Sequence, residues 1–253
     1  MGTSRRLVAG NQPPGGWRPV GALLTALALF APAASAGPQQ ESVDELVGAV
    51  LQAYGGRSAV LSVRSYRMEA TVDALSRGER GQVTRTMAAP AALTVLVRYP
   101  SARELRVVDG NTGRHGTSPD DLVPAQGPLL GSMIAQAARA HLPWILDARR
   151  ADLRIVERGS AGDVVELTLE KGLRLLATID RRSRLITRAV GLVSAGPTEI
   201  RFQTDFSDFR KVSGVLFPFC EENHASGVRT GTTIVTSVLV NPPAGPLDPR
   251  RRR

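Results

Sequence analysis

From Gly162 to Asn241 the chain alternates apolar and polar residues, in segments broken by Gly, Asp, Asn or Pro. Val165, Leu167 and Leu169 oppose Glu166, Thr168 and Glu170. Leu173, Leu175, Ala177 and Ile179 follow, then Ile186 to Val193, then Ile200, Phe202, Thr204 and Phe206. Phe217 to Asn223 and Thr230 to Val240 complete the run. A period of two sends successive side chains to opposite faces, so this stretch predicts an antiparallel sheet with one face buried.

The N-terminal half carries the same signal. Tyr66, Met68, Ala70 and Val72 alternate with Arg67, Glu69 and Thr71; Gln82 to Ala88 is a weaker strand, and Leu93, Val95 and Val97 repeat the pattern. Leu105 and Val107 lead into Asp109-Gly110, a hairpin turn signal. Two stretches are helical. In Gln40 to Tyr54, the residues Val43, Leu46, Val47, Val50, Leu51 and Tyr54 form one apolar stripe, with Ser42 and Glu45 spaced as a capping box and Gly55-Gly56 as the stop. Pro128 to Leu146 is the second, rich in Ala, with Pro143 to kink or end it. Its small apolar residues suit plain packing or a movable lid. Gly113 to Gly127 reads as a polar loop. About ten strands and two apolar helical regions make the fold mainly β. So wide a sheet must curl.

The ends differ from this body. Arg5, Arg6 and Arg18 precede the uncharged run Val20 to Phe30, Pro32 and Ala34-Ser35-Ala36. This is the layout of a secretory signal with cleavage between Ala36 and Gly37. Its apolar run is shorter than the roughly 20 residues of a membrane span, with retention as an anchor the alternative. The expected organisation is a leader over 1–36, one domain over 37–241 and a disordered Pro/Arg-rich tail over 242–253. The net charge of +9 falls by three without the leader arginines, and Arg250 to Arg253 hold four more positives. What remains argues against a nucleic-acid partner. The arginine tail is positioned to meet an anionic membrane surface. The single cysteine, Cys220, excludes an intramolecular disulfide.

Candidate chemistry is sparse. There is no G-x-S-x-G, Walker loop or G-x-G-x-x-G. Of the three histidines, His115 falls in the Gly-rich loop and His141 on the second helix. Cys220, Glu222 and His224 share a strand face as zinc ligands would. Three such positions spread over about 13 Å, too far apart for one ion. The acidic pairs Asp120-Asp121 and Glu221-Glu222 read as solvated. No enzyme, metal or cofactor is expected.

Two motifs carry a resemblance. Asp180 to Arg188 follows D-x-x-[ST]-x-L-I-x-R, and Phe206 to Phe219 reads F-S-D-F-R-K-V-S-G-V-L-F-P-F. Together they resemble the outer-membrane lipoprotein-sorting (LolA/LolB-like) family. The resemblance implies an unclosed half-barrel, a curved antiparallel sheet wrapped around two or three helices, with the first helix inside the curve. It implies a monomeric, periplasmic or secreted carrier or chaperone whose partner is a lipid or the acyl chains of a lipoprotein. The ligand face would comprise Tyr66, Met68, Ala70, Val72, Leu93, Val95, Val97, Leu105, Val107, Val165, Leu167 and Leu169. Two other readings stay open: a sensory or regulatory envelope protein binding a partner through the same fold, and a structural domain with a filled core. The charged residues Asp205, Asp208, Arg210 and Lys211 read as structural, with Gly214 at a tight turn and Pro218 at a strand edge or bulge.

Overall fold

The computed structural model describes residues 41–169 and 172–243. The expected leader with its Ala36–Gly37 junction, and the Arg250 to Arg253 tail, lie outside these residues.

The alternating segments form one antiparallel sheet of 13 strands. The N-terminal arm contains β1 (Ser65–Ala74), β2 (Glu79–Ala88), β3 (Ala92–Arg98), β4 (Arg103–Asp109), β5 (Thr112–Gly116) and β6 (Val123–Pro124). The C-terminal arm contains β7 (Leu153–Arg158), β8 (Gly162–Thr168), β9 (Arg174–Asp180), β10 (Ile186–Ala195), β11 (Thr198–Val212), β12 (Val215–Ala225) and β13 (Val228–Val240). Each arm is a meander, and they join where β13 pairs with β1. The sheet does not close: β6 and β7 are its edges. Asn241 fixes the join, its Oδ1 accepting from the backbone N–H of Arg64 at 2.7 Å and its Nδ2 donating to the Ser62 carbonyl at 3.0 Å.

Among the described residues four helices accompany the sheet, against an expectation of two or three: α1 (Val43–Ala53), α2 (Arg57–Ser62), α3 (Gly127–Ala140) and α4 (Trp144–Ala148). The polar stretch Gly113 to Gly127 is not wholly a loop, because it supplies most of β5 and all of β6. His115 therefore sits on a strand, paired with Arg106 and Val123. Polar short strands have no apolar period to betray them; pairing with β4 decides their shape.

The capping box on α1 is present. Ser42 Oγ accepts from the Glu45 N–H at 3.2 Å, and Glu45 Oε2 accepts from the Ser42 N–H at 2.7 Å. The stripe Leu46, Val47, Val50 and Leu51 is buried. Two glycines dock the far end of α1 on the β11–β12 hairpin. Ser213 and Gly214 both have positive φ (49° and 88°), a two-residue turn that suits the strand twist. A Cβ on Gly55, itself at φ 125°, would lie 2.1 Å from the Gly214 carbonyl oxygen. The backbone N–H of Leu216 then reaches the Tyr54 carbonyl at 2.9 Å. Pro218 sits where β12 has lost its second neighbour, since β13 pairs with it only from Cys220 onward.

The main core lies between the inner face of the sheet and the helices. A second, separate cluster holds Leu96, Leu105 and Leu122, with Val107 packed on it. This corrects the expectation for β4. Val97, Val95 and Leu93 on the inner row of β3 pair with Glu104, Arg106 and Val108, so Leu105 and Val107 fall on the other face.

Candidate functional site

Helix α3 bridges the two arms of the open sheet, touching β3, β4 and β5 on one side and β9 and β10 on the other. Small residues let it sit close. A Cβ on Gly131 would meet Val193 Cγ1 at 2.6 Å, and a Cβ on Gly191 would meet Ala135 Cβ at 2.6 Å. Its C-terminal end is tied down by hydrogen bonds. Tyr66 Oη donates to the Ala140 carbonyl at 2.8 Å. The ring nitrogens of the buried His141 lie 2.6 Å from the Ala137 carbonyl and 3.3 Å from that of Ala88. Its N-terminal end has no side-chain cap: Gln126 occupies the cap position, and its side chain makes no capping bond.

Two clefts lie along the helix, one beside each half. One, of about 210 Å³, is bounded by Gly127, Leu130, Gly131, Ile134, Leu173, Val193 and Ser194. The other, of about 170 Å³, is bounded by Pro90, Ala91, Ile134, Ala137, Ala138, His141, Ile145 and Leu169 among others. Ile134 belongs to both. Most of the expected ligand face lies beneath, in the packed core: Met68, Ala70, Leu93, Val95, Val97, Val165 and Leu167 are buried among other side chains, and Val72 is half-buried. Tyr66, Met68 and Leu169 border a cleft. Leu105 and Val107 belong to the outer cluster and cannot share a site with the others.

The remaining cleft, about 50 Å³, is polar and lies against the opposite side of α3. Arg85 of β2 and Glu221 of β12 meet in it through two parallel bonds of 2.7 and 2.9 Å. The Glu221 side chain is 6% exposed and that of Arg85 11%. Glu221 was expected to be solvated; it faces inward because it continues the row of Phe217 and Phe219 along β12. Burial works against its charge, but Arg85 and then Arg139 prevail and hold its carboxyl below the ordinary range. Tyr66 is pushed up to about 12, mainly by burial. Arg139, on α3, completes the group.

On the outer row of β12, Glu222 and His224 come together with Asp205 of β11, their ligand-type atoms lying within 4.8 Å of one another. Cys220 is not part of this group. His224 Nε2 is 3.4 Å from Glu222 and its Nδ1 3.7 Å from Asp205. Both carboxylates are already engaged, Asp205 by Arg188 and Glu222 by Arg229 at 3.1 Å. Two guanidiniums on these acids disfavour a metal ion there, which would have to displace them. Among the motif charges, Asp208 pairs with Arg210 at 2.6 Å.

No protein-family model and no curated protein matches the sequence. Among solved structures, the chain is similar to a putative outer membrane lipoprotein-sorting protein domain from Vibrio parahaemolyticus. The TM-score is 0.51 at 9% identity, over 83% of this chain and 98% of that one. It is also similar to a LolA superfamily protein from Nitrosomonas europaea, at 11% identity over 77% of this chain and 93% of that one, with a TM-score of 0.49. The protein thus shares the open half-barrel fold of the Vibrio domain. At such identity the likeness extends to the fold alone.

Proposed function

We propose that the protein is an exported carrier or chaperone, not an enzyme, that holds a hydrophobic ligand between α3 and the inner face of the half-barrel. The ligand would be a lipid or the acyl chains of a lipoprotein. One observation carries this reading: two largely apolar clefts, one along each half of a helix that bridges an unclosed sheet, share Ile134 as a wall. The core residues Met68, Val95, Val165 and Leu167 would meet the ligand only when α3 lifts. Burying roughly ten methylenes at about 0.8 kcal/mol each yields about 8 kcal/mol before costs. That corresponds to roughly micromolar binding.

The test uses a fluorescent fatty-acid probe and the substitution Ile134→Trp, which fills both clefts from a half-buried position. Saturable binding by the wild type, lost in the variant at an unchanged melting temperature, supports the reading. Absence of saturable binding by the wild type overturns it. Export and membrane contact through the basic ends belong to the same reading. They are checked on the exported protein, whose N-terminal sequence should start at Gly37. Removal of Arg250 to Arg253 should weaken its binding to anionic vesicles at low salt.

A further inference from the structure

The polar cleft is not electrically balanced. Arg85 and Arg139 both enter it, yet Glu221 is the one carboxylate among the residues that bound it. Glu221 is spent on a bidentate pair with Arg85. Arg139 has no carboxylate within 4 Å among the described residues, and its guanidinium makes a single long bond, 3.4 Å, to the Phe202 carbonyl. Arg85 Nε is buried with no hydrogen-bond partner among the described residues. Burying a cation without a matching anion destabilises a fold, and so does burying an unmade donor. Burial accordingly draws the Arg139 guanidinium down to about 10, with Glu221 opposing and Arg85 reinforcing the fall. It still carries its charge at neutral pH.

Such an arrangement is poor as a core and good as a receptor. Guanidinium donors recognise planar or tetrahedral oxyanions in bidentate fashion. The space of about 50 Å³ exceeds what one water needs and accommodates the few atoms of an acid group. We propose that this cleft binds an oxyanion, the carboxylate or phosphate head of an amphiphile whose chain passes beneath the lifted α3 toward the apolar clefts on its other side. The inference rests on the carrier reading and narrows it: the ligand would be an anionic amphiphile, with Arg139 its principal contact and Arg85 Nε a second donor.

Competition against an uncharged fluorescent probe, N-phenylnaphthylamine, tests it at pH 7.5 and low salt. The competitors are dodecanoate, dodecyl phosphate and dodecanol, with inorganic phosphate as the chainless arm. Both charged chains should displace the probe at about tenfold lower concentration than dodecanol, the gain expected of one charge-assisted bond. Arg139→Gln should abolish that preference while leaving dodecanol unchanged, and Arg139→Lys should retain most of it. Melting curves on each variant keep unfolding separate from loss of the site. Equal displacement by dodecanol and dodecanoate, or a preference that survives Arg139→Gln, overturns the oxyanion site and leaves the carrier reading standing. If no chain displaces the probe, yet inorganic phosphate raises the melting temperature in an Arg139-dependent way, the oxyanion site stands for a free ion and the amphiphile is refuted. No displacement and no phosphate effect refutes both.

Discussion

His141 is 2% exposed and wedged between the end of α3 and the end of β2, with a carbonyl oxygen at each ring nitrogen. Burial lowers its pKa from the ordinary 6.5, although the two carbonyls pull the other way. The unfolded chain therefore takes up a proton more readily than the folded one, so stability falls as pH drops through 6.5 toward the depressed folded value. The melting temperature should decline from pH 8 to pH 5, and His141→Gln should flatten that part of the curve. Glu221 loses stability only further down, below its ordinary 4.5, because its carboxyl is held low in the fold. An unchanged slope in the variant would show that His141 does not titrate against folding. The same scale shows what the sequence could and could not disclose. Glu221 and Glu222 look alike as neighbours, but only Glu221 shares parity with Phe217 and Phe219, and Arg85 shares it with Val83 and Met87. The alternation that marks these strands also marks the two charges as inward-facing. What it does not show is that they face each other, because 136 residues separate them and the pairing of β1 with β13 must first bring their strands near.

Among the elements, α3 is where packing and release compete. Its stripe of small residues leaves both plain packing and a lid open in the sequence, since both need close approach. In the structure close-packed and open positions alternate along the helix: Gly131 rests on Val193 and Ala135 on Gly191, while Leu130, Ile134 and Ala138 border empty space. Gly191→Ala would put a methyl 2.6 Å from Ala135 Cβ, and neither backbone can move without shifting the helix or β10. Overpacking of this kind costs about 1–3 kcal/mol. Denaturant titration should show that loss, and probe association should quicken because the helix is raised from its seat. A neutral effect on stability would mean that α3 is not held by this contact. The strand assignments fail for a related reason on β4. Leu105 and Val107 form an apolar pair that looks like an inner row, but register with β3 places them opposite Leu96 and Thr94, and the row of Val108 is the one that enters the core. A strand with apolar residues on both faces carries no parity signal of its own.

For the molecule as a whole, the order of the strands makes the centre rigid and the opening soft. β1 and β13, the first and last strands of the sheet, pair at its middle, and Asn241 bolts the chain end to the backbone before β1. The edges β6 and β7 are short and lie at opposite ends of the sheet, and α3 bridges the arms through contacts with β3 to β5 and β9 to β10. Local opening follows the distribution of such constraints: segments with few anchoring bonds exchange their amides at lower free energy than the core. Hydrogen exchange should therefore rank the chain. Amides of β1 and β13 should be slowest, those near Ala137 to His141 intermediate, and those of Leu130 to Met133 fast, since this half of α3 lacks a side-chain cap whereas the other is held at Ala137, Ala140 and His141. Dodecanoate should slow Leu130 to Met133 and leave β1 and β13 unaltered, because a ligand that fills the clefts removes the space into which the helix opens. Uniform exchange along α3, or protection by dodecanoate confined to the sheet, would place the entry route elsewhere than under the helix.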